Sequence, residues 1–524
     1  MRHAQIHATQ CLDGSPITKG GGNSMRGLVV GAIGARIAIG VTAGATVLLA
    51  GGALAAAAPA AAASRGAATP ACTVSWVGRA AQPDWTNPQN WSTRKVPGPS
   101  DDVCITRTGD DVLTNVSIKI HSLTLGVDQG LALEGTASHP LTATVATSVT
   151  FTPGLASRID LIDASVSAAQ INNRGGTIFS SGTCNLTSPD ISFSDGAELQ
   201  AANGTTTLSS LAQLSNGTLT GGTFDTSDAA VVLPGDISHL VAAHIGVGGN
   251  SAIKDPAGHN ALASLTSIDA QSALADFSGL ALTGGLTASG DLSIDGQNFS
   301  VAGPLTQTGG TLSVQSGSVL SATGVTIGAG AALNADQATI AANLVNDGTA
   351  EVGNLAPVTV AGSYTQGHGA SLAEEFGGPL EVTGKATLAG AVSVSQELPQ
   401  PGDSTPVVSF GSLSGGFTSH NIGIRLVTKP AEIDAVILPQ IAASPATVAP
   451  GAQLTVNGGS FTLESTVRIF LDNTNGTPLA SAAAGGGGRF VATVTIPAAT
   501  AAGSHKLIAV GSDGNRAATA IKVS

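Results

Sequence analysis

Two adjacent carboxylate pairs, Asp110 with Asp111 and Glu374 with Glu375, are the first residues in this chain whose types suggest chemistry. A glycosidase needs two carboxyl groups held about 5–9.5 Å apart across a cleft, one acid and one base or nucleophile. Neighbours on a strand face opposite sides, so neither pair forms such a site by itself, although acids from distant stacked segments could converge. Both pairs read as solvated turn positions. His239, His244 and His259 come nearest to a metal cluster. The spacing of five in HLVAAH puts its two imidazoles on opposite faces of a strand, and no HExxH, CxxC or GGxGxD repeat accompanies them. These are expected to be turn or surface histidines, with no metal and no other cofactor. A lyase for acidic glycans needs a basic group beside the uronate, yet Lys254 is the only basic residue between Arg174 and Lys385. No GxSxG elbow or P-loop occurs, and the GGGG run at 485–488 lacks the lysine and following helix that phosphate binding requires. No catalytic residue is assigned.

The tryptophans are more distinctive. Trp76, Trp85 and Trp91 are the only three in the chain, and all fall within WVGRAAQPDWTNPQNWSTRKVPGPSDDVCI, residues 76–105. Exposed rings would stack on sugars, which makes Trp85 and Trp91 a candidate carbohydrate platform. Buried rings would instead cap the start of a fold. The stretch precedes the first strand-like run, is rich in proline and is bracketed by Cys72 and Cys104, which favours the cap. Those two cysteines suit a disulfide in a secreted protein, and Cys184 reads as a buried small apolar residue.

The elements that would position these residues are β-strands. Charged residues are 10% of the chain, Gly occupies 69 positions and mean hydropathy is +0.28, a composition opposite to that of disordered chains. Residues 1–63 read as an upstream extension and a signal peptide with its start at Met25: Arg26 and Arg36 precede an uncharged apolar run and Ala-rich cleavage sites. The membrane would be a partner only if that segment stayed uncleaved. Removing it takes away Arg2, Lys19, Arg26, Arg36 and Asp13, which leaves 17 basic and 33 acidic side chains and a formal charge of −16. Such a charge excludes nucleic acid as a natural partner.

Residues 64–111 form the expected Trp-rich cap, in which Asp101 and Asp102 can bond backbone N–H groups at the turn into the first strand. From 112 to 438, short alternating segments are broken by Gly, Asn, Asp and Ser, as in LSNGTLTGGTF (214–224). VAGPLTQTGG at Val301 echoes VAGSYTQGHG at Val360, an offset of 59 residues that fits three coils of about 20. Stacked coils of that length predict a parallel β-helix. PGDSTPVVSFGSLSGGF (401–417), with Phe410 and Phe417, reads as its closing segment. Residues 441–524 hold about seven short alternating strands, the pattern of an immunoglobulin-like sandwich.

The W-x-G…W…NW-S…VPGPSDDV entry, the Gly-Thr-Leu phrases and the closing VTGKATLAG run resemble secreted bacterial "β-strand repeat" proteins, related in style to autotransporter passengers. Residues 441–524 resemble bacterial Ig-like or IPT/TIG-type modules. The resemblance implies an all-β protein: a right-handed parallel β-helix with an N-terminal cap, followed by an Ig-like sandwich. It further implies secretion and a role in adhesion or envelope organisation without catalysis, with a cell-surface glycan or protein as partner. The competing expectation is a β-helix that binds or degrades polysaccharide.

Overall fold

The structure is a computed structural model that describes residues 71–524 apart from 107–110, 127–129, 154–156, 354–355, 375–377, 395–400 and 421–422. The expected signal segment, Asp110 and Glu375 lie outside the described residues.

Thr311–Gln315, TLSVQ, shows why the sequence makes strands here. It buries Leu312 and Val314 and turns Thr311, Ser313 and Gln315 outward, the period of two that a half-buried strand imposes. One coil runs from Leu305–Gln307 through Thr311–Gln315 and Val319–Ser321, and the chain then returns at Val325–Ile327 to lie in parallel register on the first of these strands. Repeating this path gives a parallel β-solenoid of about 13 turns with three ladders, here called faces 1, 2 and 3 in the order just given. Inside face 2, one apolar column passes from Leu131 through Ile159, Ile178, Leu199, Phe224, Ile245, Leu274, Leu292, Leu312, Leu333, Ala350 and Leu372 to Val392. Every member is buried. Each large side chain contributes about 1.5–3 kcal/mol when fully buried, but only because coils above and below close the column.

The 59-residue echo is three coils in register. Leu305 stacks on Val325, Val325 on Leu344 and Leu344 on Tyr364. The same register aligns Gln307, Asn346 and Gln366, which are buried at the end of face 1. Their amides satisfy the corner into face 2. Gln307 Nε2 donates to the carbonyls of Gly290 and Gly309 (both 2.6 Å), and Gln366 Nε2 to those of Ala389 and Ala391 (both 2.8 Å). Tyr364, the only tyrosine of the chain, donates its hydroxyl to Gln366 Oε1 at 2.8 Å. Burial pushes its phenol well above the ordinary range, so it stays a donor.

The two ends are closed differently. At the start, the tryptophan segment covers the first coil. Stacking begins at Asp102–Ile105, which pairs with Val74–Ser75 on one side and Ser122–Leu125 on the other, earlier than the boundary expected at 112. Asp101 Oδ2 accepts from the Gly98 N–H at 2.7 Å, the turn contact its position suggests. At the far end, Ser404–Gly415 lies parallel on Leu380–Leu388 and takes an antiparallel partner on its other edge, Glu432–Ile437, which also pairs with Ile424–Thr428. Phe410 is buried there and Phe417 packs against the core.

From Gln440 the chain forms eight strands in a three-stranded and a five-stranded sheet. Val456 and Val494 from one sheet and Ile469, Leu507 and Ile521 from the other share a core distinct from that of the solenoid. This is a two-sheet β-sandwich. The GGGG run makes the short turn Gly486–Gly488 between two of its strands.

Candidate functional site

Trp85 is 2% exposed and Trp91 is 0% exposed, so neither indole offers a face to a sugar. Trp91 Nε1–H donates to Trp85 O at 2.8 Å, and its ring meets those of Trp76 and Trp85 edge-on, with centroids 5.0 and 4.7 Å away. Asn90, fully buried, ties the segment together. Its Nδ2 donates to the carbonyls of Gln82 and Asp84, and its Oδ1 accepts from the Ala80 N–H. The segment docks on the coil through Trp85 N–H to Leu113 O and Leu113 N–H to Pro83 O, each 2.8 Å. The disulfide Cys72–Cys104 fastens it. Because Val103 and Ile105 take the inward positions of that strand, Cys104 lies on its outer side.

The histidines correct one expectation. His239 opens the strand His239–Val241 on face 1 and His244 opens His244–Gly248 on face 2, with Ala242 (φ 50) in the corner between them. HLVAAH is therefore a corner between two strands, and the motif's spacing does not measure opposite sides of one strand. His259 sits in a turn, 3.2 Å from Asp255. Among the described residues, no group of three or more His, Cys, Asp or Glu side chains could hold a metal. Glu374 is also a correction: it is buried, stacked in register between Val352 and Val394, and is no solvated turn residue. Asp111, its counterpart in the other pair, is exposed. Cys184 is buried with Sγ against the carbonyls of Leu161 and Ser181, and burial raises its thiol, which makes it unreactive.

The side chains that do gather are on face 2, and their spacing in sequence hides them. Outward positions bring Arg158 and Asp160, Thr177 and Phe179, Glu198 and Gln200, and Thr223 and Asp225 into successive rungs. Arg158 pairs with Asp160 and its guanidinium lies 5.1 Å from the Phe179 ring centroid. Gln200 Nε2 donates to Glu198 Oε1 at 2.8 Å. Asp225 lies one rung from Glu198 on the same face. Burial first, then the Glu198 charge, pushes Asp225 up to about 6. Gly246 in the next rung leaves room for this carboxylate, since a Cβ there would collide with Asp225 Oδ1.

A raised folded-state pKa means that the native protein holds this proton longer than the unfolded chain. The contribution of Asp225 to stability is therefore fullest below the unfolded value and falls as pH rises, between about pH 4 and pH 6. Asp225→Asn is expected to remove that slope and to stabilise the protein at neutral pH by about 1–2 kcal/mol. Denaturant melts across this pH range check it, and a variant whose stability still falls with the wild-type slope would refute the assignment.

Beside this row, the face 1 ladder breaks. Ile191–Ser194 is followed on that face by a two-strand hairpin, Leu214–Ser215 with Thr218–Thr220, turned at Asn216 and Gly217, and parallel stacking resumes from Thr218–Thr220 onto His239–Val241. A backbone bond from Ala212 N–H to Ile191 O and a side-chain bond from Gln213 Nε2 to Phe193 O (both 2.8 Å) bridge the gap. The break leaves a groove of about 490 Å3 at the corner of faces 1 and 2, lined by Asp195, Gln213, Thr220, Thr223, His244 and Gln271 among others. Asp195 pairs with Arg174 at 3.3 Å. Gln213 Oε1 is shielded from solvent and has no hydrogen-bond partner.

No protein-family model matches the chain, and no curated protein sequence is similar to it.

Proposed function

We propose that the protein is a secreted or cell-surface rod that serves adhesion or envelope organisation, with its long solenoid faces as the contact surface. The observation that carries this reading is the outer rank of face 1, where Thr287, Thr306, Thr326, Val345, Thr365 and Thr387 follow one another in register. Adjacent strands lie about 4.7–4.9 Å apart, and β-branched side chains are stiff at χ1. The rank is thus a regular, uncharged and preorganised surface. The resemblance of the entry and closing segments to secreted β-strand repeat proteins, and of residues 441–524 to Ig-like or IPT/TIG-type modules, supports the same reading.

Polysaccharide cleavage is supported less well. Glu198 and Asp225 lie on adjacent rungs of one face, not on opposite walls of a cleft where two carboxyl groups could flank a glycosidic bond. Fractionation of the native cells tests the proposal. It expects the protein in the envelope fraction and weaker surface attachment in a deletion strain. A protein found wholly free in the medium, with attachment unchanged by deletion, counts against it.

A further inference from the structure

We propose that the groove at the face 1 ladder break binds a neutral oligosaccharide. The inference rests on the reading of the solenoid as an adhesive surface and names the ligand class of that surface.

The chemistry of the groove selects the class. Its polar lining is rich in acceptors: the Asp195 carboxylate, the Gln213 and Gln271 amides and the Thr220 and Thr223 hydroxyls. No Lys or Arg is among its described lining residues, and Glu198 with Asp225 lie on the neighbouring rungs of face 2. Arg174, paired with Asp195, is the one guanidinium beside the groove, and the carboxylates of Asp195, Glu198 and Asp225 outnumber it, so an anionic ligand is disfavoured. A ligand of many hydroxyl donors and no charge meets partners throughout.

Gln213 gives a second, independent indication. Its Nε2 is used to bridge the broken ladder, which fixes the orientation of the amide and leaves Oε1 unpaired. A shielded amide oxygen without a donor is costly to a folded protein. A ligand hydroxyl in the groove that Gln213 lines would supply the missing donor. The space beside two lining glycines is open: a Cβ at Gly196 would meet nothing within 4 Å, and one at Gly221 only the Ala242 carbonyl at 3.9 Å. The backbone is therefore open to a flat pyranose ring. The volume is that of a small-ligand cleft and suits a short segment of a longer glycan.

The test is titration calorimetry of the full mature chain with cello-, xylo-, manno- and maltotetraose. Tetragalacturonate and the glucosamine tetramer serve as anionic and cationic probes. At least one neutral tetrasaccharide is expected to bind. Thr220→Met, which lays a long aliphatic side chain without an aromatic face across the exposed rim of the groove, is expected to weaken that binding at least about tenfold, and Gln213→Leu about fivefold. Both variants should keep the wild-type circular dichroism spectrum, while Phe179→Ala on face 2 should bind normally. Binding that survives Thr220→Met, binding of only a charged probe, or no binding of any neutral sugar overturns the proposal. Envelope attachment without sugar binding would sink the groove and spare the adhesive rod. Sugar binding by a freely shed protein would do the reverse.

Discussion

Trp91→Ala is expected to destabilise the solenoid by about 3–5 kcal/mol, the usual loss for truncating a fully buried aromatic side chain. The indole fills the centre of the cap between Trp76 and Trp85, and its N–H satisfies the Trp85 carbonyl. Alanine leaves a cavity and an unpaired oxygen at once. In a stack, stability is a sum of coil terms and nearest-neighbour terms, and an end coil has only one neighbour. Losing the cap therefore exposes Val103, Ile105 and Leu123, which are now buried, and fraying should start there. Denaturant unfolding read by the fluorescence of Trp76 and Trp85, together with limited proteolysis, measures this. The first cuts should fall in the N-terminal coils, and the sandwich should be unaffected because its core is separate. A variant within about 1 kcal/mol of wild type would show that the tryptophans do not hold the end of the stack.

Gly204→Val should be comparably damaging, by a different route. The corner from face 2 to face 3 brings Gly204 directly over Gly182, at a register shift between strands Thr177–Thr187 and Glu198–Leu208. A Cβ on Gly204 would collide with the Gly182 carbonyl oxygen and stand 2.6 Å from its carbon, and the obstacle is backbone, which cannot rotate away. Its φ of 154 adds strain for any L side chain. The expected cost is about 3 kcal/mol or more, seen as a fall in the yield of folded protein and in the denaturant midpoint. Gly235→Ala is the matched control, since a Cβ there meets nothing within 4 Å, and it should stay within about 0.5 kcal/mol of wild type. Equal melting of Gly204→Val and wild type would refute the close approach of the two coils.

Legibility in the sequence tracked how local each feature is. Alternation within TLSVQ, the VAGPLTQTGG and VAGSYTQGHG echo and the Cys72 to Cys104 bracket are short-range or repeated signals, and the strands, the coil length and the disulfide follow from them. The HLVAAH corner is illegible in sequence because a coil turns at Ala242, whose left-handed backbone has no mark in residue type. Burial of Glu374 is hidden because adjacent strand residues alternate, and residue order does not say which of two neighbouring acids faces the core. The role of Asn90 is hidden because only the folded cap surrounds its amide with carbonyls.

The sequence by itself determined that this is an all-β stack of coils of about 20 residues, capped at one end by its tryptophans, because period-two burial and recurrence in the chain are written in residue order. Tertiary structure alone decided that Glu198 meets Asp225 and that a groove opens beside Gln213. Those outcomes depend on the offset between successive coils. The stacking partners Leu292 and Leu312, Leu333 and Ala350, and Ala350 and Leu372 show that this offset changes from coil to coil. A site assembled across rungs is fixed by register, and register is settled only when the whole column of side chains packs.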